Sequence, residues 1–76
     1  MKKLLETLAK ALVDHPDMVE VTEKETDGTL VLELRVADED MGKVIGRQGR
    51  IAMAIRSVVK AAALRQNKKV VVEIVQ

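Results

Sequence analysis

The segment VIGRQGR, residues 44–50, carries two glycines in the spacing G-x-x-G. Glycine tolerates positive φ and has no Cβ, so a tight turn with this spacing lets another chain approach the backbone closely. We expect one helix to end at Ile45 and another to begin near Arg50, with its first N–H groups and positive dipole end facing the turn. The segment therefore predicts a turn over residues 46–49 that binds phosphate groups.

Other glycine-rich nucleotide motifs fit this segment poorly. A dinucleotide-binding fingerprint needs a further glycine where Val44 stands, and it should directly follow a strand. A P-loop needs Lys followed by Ser or Thr after its last glycine, whereas Arg50 and Ile51 follow here. Because a lone G-x-x-G also occurs in simple turns between helices, its surroundings must decide between the two interpretations.

Charge is divided unevenly along the chain, although the net charge is only +1. Residues 43–69 hold eight of the thirteen basic residues and no acid, whereas residues 1–42 hold eleven of the twelve acids. Such a basic stretch attracts polyanions even in a nearly neutral protein. The alternative is a helix face whose charges are merely solvated. The G-x-x-G turn inside the stretch favours a nucleic-acid backbone as the ligand.

Hydrophobic spacing on the N-terminal side of the turn predicts a helix and a hairpin. Leucines at helical spacing predict an amphipathic helix over residues 2–14, which His15-Pro16 ends. Two alternating stretches follow, and the segment TDGT between them, residues 26–29, is typical of a two-residue type I′ turn. The predicted register pairs Thr26 with Thr29, Val21 with Leu34, Val19 with Val36, and Glu20 with Arg35.

The C-terminal half predicts two helices and a last strand. Asp38 is expected to cap a short helix over residues 39–45, and a second helix runs from Arg50 to about Gln66. The apolar face of the second helix is predicted to comprise Ile51, Ile55, Val58, Val59 and Ala62, widened by Ala52, Ala54 and Ala63. A β-branched strand, Lys69–Val75, closes the chain.

The predicted element order is α-β-β-α-α-β in an α+β domain that covers residues 1–76. Some thirty residues separate the second and third strands, which suits a parallel, right-handed crossover. We expect a three-stranded mixed sheet in the order 1-2-3, with three helices on one face.

Composition excludes several classes of function. The chain has no aromatic residue and no Cys, and it has one His, so aromatic stacking platforms, thiolate chemistry and zinc–sulfur sites are ruled out. We predict a protein that is not an enzyme, binds no metal or cofactor, lies in the cytoplasm and does not insert into membranes. A metal site at Asp38, Glu39 and Asp40 is the alternative to acids in a first helical turn, which explain them better.

The segment at residues 44–49, the following helix with Ile55 and the element order together resemble a KH domain of the type II topology. The length, and the segment ADEDMGK at residues 37–43, are similar to the small bacterial KhpA (YlqC) family. One departure is Ala52, which stands where the usual KH pattern has a large aliphatic residue. The resemblance implies a cytoplasmic RNA-binding protein and RNA chaperone that pairs with itself or with a larger KH-containing partner of the Jag/KhpB type. It also implies a link to cell shape, elongation and cell wall biogenesis.

The resemblance further implies a groove for about four unpaired nucleotides between the G-x-x-G turn with its helices and the third strand with its preceding loop. Val44, Ile45 and Ile55 are candidates for its apolar floor, with plain core packing as the alternative. The candidate RNA-binding residues are Lys43, Val44, Ile45, Gly46, Arg47, Gln48, Gly49, Arg50, Lys68 and Lys69.

The outer face of the last helix predicts a surface for self-association. A stripe at helical spacing there comprises Met53, Ser57, Lys60 and Leu64, and we call it the outer stripe. The alternative is that its apolar side chains are isolated exposed residues, which are common on protein surfaces. The alternative function to RNA binding is an interaction or scaffold protein that uses the KH fold mainly for assembly with a partner.

Overall fold

The computed structural model describes residues 1–75, except for the side chain of Arg47, which lies outside the described part. Its elements in chain order are α1 (Lys2–Leu12), a 3-10 turn (Pro16–Met18), β1 (Glu20–Thr26), β2 (Thr29–Arg35), α2 (Asp38–Arg65) and β3 (Lys69–Val75). Within the described residues, no helix is both long and apolar enough to cross a membrane.

The 28-residue helix α2 is interrupted in its middle. Gln48 and Gly49 have φ of +64° and +67°, whereas a right-handed helix needs φ near −63°. The two residues therefore divide α2 into an N-terminal part and a C-terminal part. This confirms the predicted order α-β-β-α-α-β and the predicted turn within residues 46–49.

The sheet has the predicted order β1-β2-β3. β1 and β2 are antiparallel, and Thr26 pairs with Thr29, Val21 with Leu34 and Glu20 with Arg35, as predicted. β3 runs parallel to β2. The hairpin turn has φ of +50° at Asp27 and +76° at Gly28, the two left-handed residues that a type I′ turn requires.

Two predicted bounds differ from the structure at the end of α1. The helix ends at Leu12 and not at residue 14, because the N–H groups of Asp14 and His15 donate to the Asp40 carboxylate instead of to helix carbonyls. The pair Val19–Val36 lies just outside the strand ladder, although both side chains are buried.

The predicted cap of α2 was wrong. Ala37 occupies the N-cap position and makes no side-chain cap bond, while Asp38 is the first helical residue. The three acids do lie in the first turn of α2, where they are favourable to the helix dipole. Asp40 is only 1% exposed, so it serves as a buried acceptor for the end of α1.

The aliphatic core lies between the helices and one face of the sheet. Its most buried large side chains are Leu5, Leu32, Leu34, Val44, Ile55 and Val59. On the C-terminal part of α2, the buried positions are Ala52, Ile55, Val59 and Ala63, spaced three or four residues apart. Val58 and Ala54, predicted on this face, are exposed because they lie on its flank.

Candidate nucleic-acid interface

The G-x-x-G turn offers an open strip of backbone. A Cβ built at Gly46 or Gly49 would meet no other atom within 4 Å, so the space in front of both residues is free. The left-handed φ at position 49 favours glycine, because other residues adopt this conformation at a cost of roughly 1–2 kcal/mol. Gln48 adopts the same conformation with a side chain that is exposed. The turn therefore presents main-chain atoms and a polar side chain outward, as phosphate contacts need.

The charges nearest the turn are basic and accessible. Lys43 and Arg50 are exposed on either side of it. Lys43 pairs with Asp14 through Nζ and Oδ1, 3.2 Å apart, and that acid comes from the end of α1. Arg47 belongs to the turn by sequence, but its side chain lies outside the described part of the structure. Lys43 and Arg50 outnumber Asp14 among the side chains that line the cavity beside the turn, so the local charge there is positive.

The second wall of the predicted groove is β3, an edge strand of the sheet. Arg56 Nε donates to the Val72 carbonyl oxygen at 3.3 Å, which ties the C-terminal part of α2 to that strand. Sequence reasoning did not select Arg56. Its place in the acid-free stretch was the available signal, but the carbonyl partner is visible only in the tertiary structure.

The apolar floor is narrower than predicted. Val44 is 0% exposed and Ile55 is 1% exposed, so both are core residues and their side chains are closed to a ligand. Ile45 is 51% exposed and is the only one of the three candidates that presents an aliphatic surface.

Lys68 and Lys69, which the sequence placed on the loop before the third strand, lie far from the turn. Residues 50–65 of α2 separate the two lysines from the turn, and this length of helix spans roughly 24 Å at 1.5 Å per residue. The two lysines line a cavity of about 440 Å³ near the hairpin turn, together with Glu23 and Glu25. They also share a cavity of about 250 Å³ with Lys60 and Leu64 of the outer stripe. They therefore lie at the opposite end of α2 from the turn, and acids lie close by them there.

The outer stripe is exposed throughout. Met53 is 60% exposed and Leu64 is 77% exposed, and the side chains of Ser57 and Lys60 are exposed as well. These residues follow the flank of α2 that carries Arg56. The predicted interface is thus accessible, and its C-terminal end borders Lys68 and Lys69.

The remaining polar candidates form local contacts. His15 Nε2 lies 3.4 Å from Glu39 Oε2, and both side chains are solvent-accessible. Asp40 accepts bonds from the backbone N–H groups of Asp14 at 3.1 Å and His15 at 3.0 Å. Among the described residues, no group of three or more His, Cys, Asp or Glu side chains is placed to hold a metal ion.

Comparison with protein families gives one matching model, the KhpA/KhpB KH domain, which covers residues 2–74. The chain is 65% identical to RNA-binding protein KhpA of Clostridium acetobutylicum over 75 residues, which are 99% of this chain and 100% of the relative. It is 61% identical to RNA-binding protein KhpA of Caldanaerobacter subterraneus subsp. tengcongensis, with the same coverage. Against RNA-binding protein KhpA of Aquifex aeolicus, identity is 49% over 100% of this chain and 96% of the relative.

Solved structures share the fold at low identity. A variant of Aquifex aeolicus Era bound to GDP and AlF4− superposes with a TM-score of 0.67 at 20% identity. Era in complex with MgGDPNP and a segment of 16S ribosomal RNA superposes with a TM-score of 0.63, also at 20% identity. Each match covers 96% of this chain but only 28% of the Era chain, so the likeness concerns the fold alone.

Proposed function

This chain belongs to the family of KhpA/KhpB KH domains, and we propose that it is a non-catalytic module that binds single-stranded RNA. The observation that carries the proposal is the open turn at residues 46–49, which holds two consecutive left-handed residues inside an acid-free basic stretch. The names of its relatives, RNA-binding protein KhpA, support the same ligand.

The strand is expected to cross the turn with its phosphates on the backbone of residues 46–49 and on Arg50. Its bases then point toward Ile45 and the edge of β3. Without aromatic side chains, the roughly 1–3 kcal/mol that each stacked base contributes elsewhere is lost. Affinity should therefore be weak and sequence preference loose.

Two binding measurements test this proposal: the preference for single-stranded over duplex RNA, and the dependence of the affinity on salt. An unstructured RNA of about twelve nucleotides should bind more tightly than an A-form duplex of equal length, whose bases cannot be splayed into a groove. With about four phosphates contacted, the slope of log K against log[salt] should be near −3, since each contact on a single strand contributes about −0.7. Fluorescence anisotropy measures both. A flat salt dependence or a preference for duplex would contradict the proposal.

We further propose that the protein acts in the cytoplasm as an RNA chaperone or post-transcriptional regulator, together with a KH-containing partner of the Jag/KhpB type. The support is the shared family model for KhpA and KhpB. A role in cell elongation and envelope homeostasis follows from the same resemblance. RNA crosslinking in cells, comparing the wild type with a variant of the turn, tests it: a variant that loses crosslinks but keeps its cellular role favours the scaffold function.

The outer stripe is the proposed surface for pairing with a second copy or with that partner. Met53 and Leu64 are large, apolar and exposed, and burying them across a two-fold axis would give an isologous contact. Two linked grooves also increase the avidity for long RNA.

Uncharged substitutions are the suitable test of the outer stripe as an interface. Leu64 shares a cavity with Lys68 and Lys69, so an acid at this position would repel RNA directly. Met53→Gln with Leu64→Gln should give a folded monomer in sedimentation at micromolar concentration. It should bind long RNA more weakly but a tetranucleotide normally. Val58→Gln, an exposed apolar position on the other flank, is the matched control and should leave assembly unchanged. A monomeric wild type, or a double variant that still dimerises, removes this stripe as the interface.

A further inference from the structure

A second cavity lies beside the turn, between α2 and the end of α1. Its volume is about 570 Å³, and its lining residues are Asp14, Gly42, Lys43, Gly46, Arg50 and Ile51. This volume falls within the range of roughly 300–1,000 Å³ that is usual for ligand pockets.

This cavity and the groove along β3 lie on different flanks of α2. Arg56 marks the β3 flank through its bond to the Val72 carbonyl. Ile51 precedes Arg56 by five residues, which is roughly 140° around the helix axis. Lys43 marks the α1 flank through its ion pair with Asp14. A ligand in the cavity therefore contacts the side of the turn that faces away from β3.

The wall of the cavity is fixed by a buried carboxylate. Asp40, only 1% exposed, accepts the N–H groups of Asp14 at 3.1 Å and His15 at 3.0 Å, one on each oxygen. Hydrogen bonds to an ionised acceptor are stronger than neutral ones. The end of α1 is therefore held against α2 before any ligand arrives, and the cavity is preformed.

Two glycines open the floor of the cavity without a structural need for glycine. Gly42 and Gly46 lie four residues apart on one face of α2. Neither has a positive φ, and a Cβ at either position would meet no other atom within 4 Å. Glycine weakens a helix relative to alanine. What the two positions provide is room for a ligand to approach the helix backbone.

The chemistry of the rim indicates an anion with an apolar body. Lys43 and Arg50 supply two cations against one acid, Asp14, and Lys43 is 45% exposed beyond its ion pair. Ile51 is half-buried and packs against the core, so it offers an aliphatic surface next to the glycine floor. A nucleotide has both parts, a flat base and a phosphate.

We propose that this cavity binds one further nucleotide of the RNA strand, beyond those that lie along β3. The base packs on the floor formed by Gly42, Gly46 and Ile51, and its phosphate pairs with Lys43 and Arg50. This inference rests on the proposed RNA-binding function and extends the path of the strand across the turn to the α1 flank.

A cavity-filling variant tests it. Gly42→Leu places a large side chain in the cavity and raises helix propensity, while Ala61→Leu adds a leucine at an exposed position of α2 far from the cavity. The measurement is the ratio of the affinities for a hexanucleotide and a tetranucleotide. A longer strand gains from extra binding registers equally in every variant. The ratio should fall at least about fivefold in Gly42→Leu, because the variant excludes a nucleotide with two ion pairs and one exposed pair alone contributes up to about 1 kcal/mol, and it should stay unchanged in Ala61→Leu.

The methyl resonances of Ile51 give a second readout in the wild-type protein. They should shift when the hexanucleotide is added and stay in place with the tetranucleotide. Equal ratios in the two leucine variants, or equal weakening of both strand lengths by Gly42→Leu, would overturn the proposal. A wild type that binds neither strand would instead refute the RNA-binding function itself, and this inference with it.

Discussion

The molecule contains two turns with nearly the same backbone and different surroundings. The hairpin turn has φ of +50° and +76° at Asp27 and Gly28, and the turn in α2 has +64° and +67° at Gln48 and Gly49. Both are a polar residue followed by glycine, and Asp-Gly at the hairpin is among the pairs that most easily adopt two consecutive left-handed conformations. Local sequence therefore specifies the shape of each turn but not its role.

The charges around each turn make the difference. The cavity at the hairpin end is lined by Glu23 and Glu25 but also by Lys24, Lys68 and Lys69, whereas the cavity beside the helix turn is lined by Lys43 and Arg50 with one acid, Asp14. The mixed charges at the hairpin turn largely cancel, whereas the excess of basic side chains beside the helix turn attracts a polyanion. A binding turn in this fold thus needs both an open backbone and a positive field.

Reversing the charge of each turn should produce the largest contrast. Arg47→Asp with Gln48→Asp changes the charge by three units, and Asp is among the residues that best tolerate the left-handed φ at position 48. We expect it to abolish RNA binding in anisotropy titrations, because attraction of phosphate becomes repulsion.

The matched control changes the charge equally at the hairpin. Lys24→Glu with Thr26→Glu alters two exposed residues of β1 and should leave the affinity within about threefold, since exposed charges more than a Debye length of about 10 Å from the strand are screened. Circular dichroism melts check folding in both. Unchanged affinity in the helix-turn variant, with an unchanged melt, would contradict its role as a phosphate site.

Removing the glycine from each turn separates shape from function. Gly28→Ala and Gly49→Ala should each lower the free energy of unfolding by about 1 kcal/mol, because alanine is strained at positive φ and no neighbour obstructs its Cβ. Only Gly49→Ala should weaken RNA binding, since its methyl group stands where the strand approaches. Urea melts and RNA titrations provide the two readouts. Equal effects of both variants on RNA affinity would show that the contrast between the turns concerns stability alone.

Features set by neighbouring residues were predictable from the sequence. The register Thr26–Thr29 followed from the Asp-Gly pair and the alternating pattern, and the interruption of α2 followed from the glycine spacing. Features set by contacts between distant elements were not. The buried role of Asp40 depends on the N–H groups of Asp14 and His15, and no local pattern distinguishes it from the exposed acids beside it. The exposure of Val58 likewise depends on where the sheet contacts α2.

The candidate site likewise combines features that local sequence predicts with features that depend on contacts between distant elements. The turn was found because its residues are contiguous, and the predicted helix from Arg50 to about Gln66 already separates Lys68 from it. The cavity that Lys68 shares with Glu23 and Glu25 was not predictable, because it joins distant elements. Helical spacing placed Ile55 on an apolar face, since residues three or four apart share a face, and core packing was the alternative for both Val44 and Ile55. It could not be separated from groove lining without the packing partners.

Removing the acidic partner of one lysine beside the helix turn and of one lysine on the sheet should give the smallest difference in RNA affinity. Lys43 pairs with Asp14 at 3.2 Å beside the helix turn, and Lys24 pairs with Glu33 at 3.5 Å on the sheet. Exposed pairs of this kind contribute little to stability, typically about 0–1 kcal/mol, so Asp14→Asn and Glu33→Gln should leave the melts nearly unchanged. Asp14→Asn removes an acid next to the strand and releases the Lys43 ammonium for phosphate. RNA binding should therefore become about twofold to threefold tighter at low salt, a gain in the range of one exposed ion pair. The gain should shrink as salt is raised to about 0.5 M, because screening reduces it.

Glu33→Gln frees a lysine of the same kind away from the turn and should not change the affinity. An equal gain in both variants would mean that only net charge matters, and that the position of the helix turn adds nothing to RNA binding.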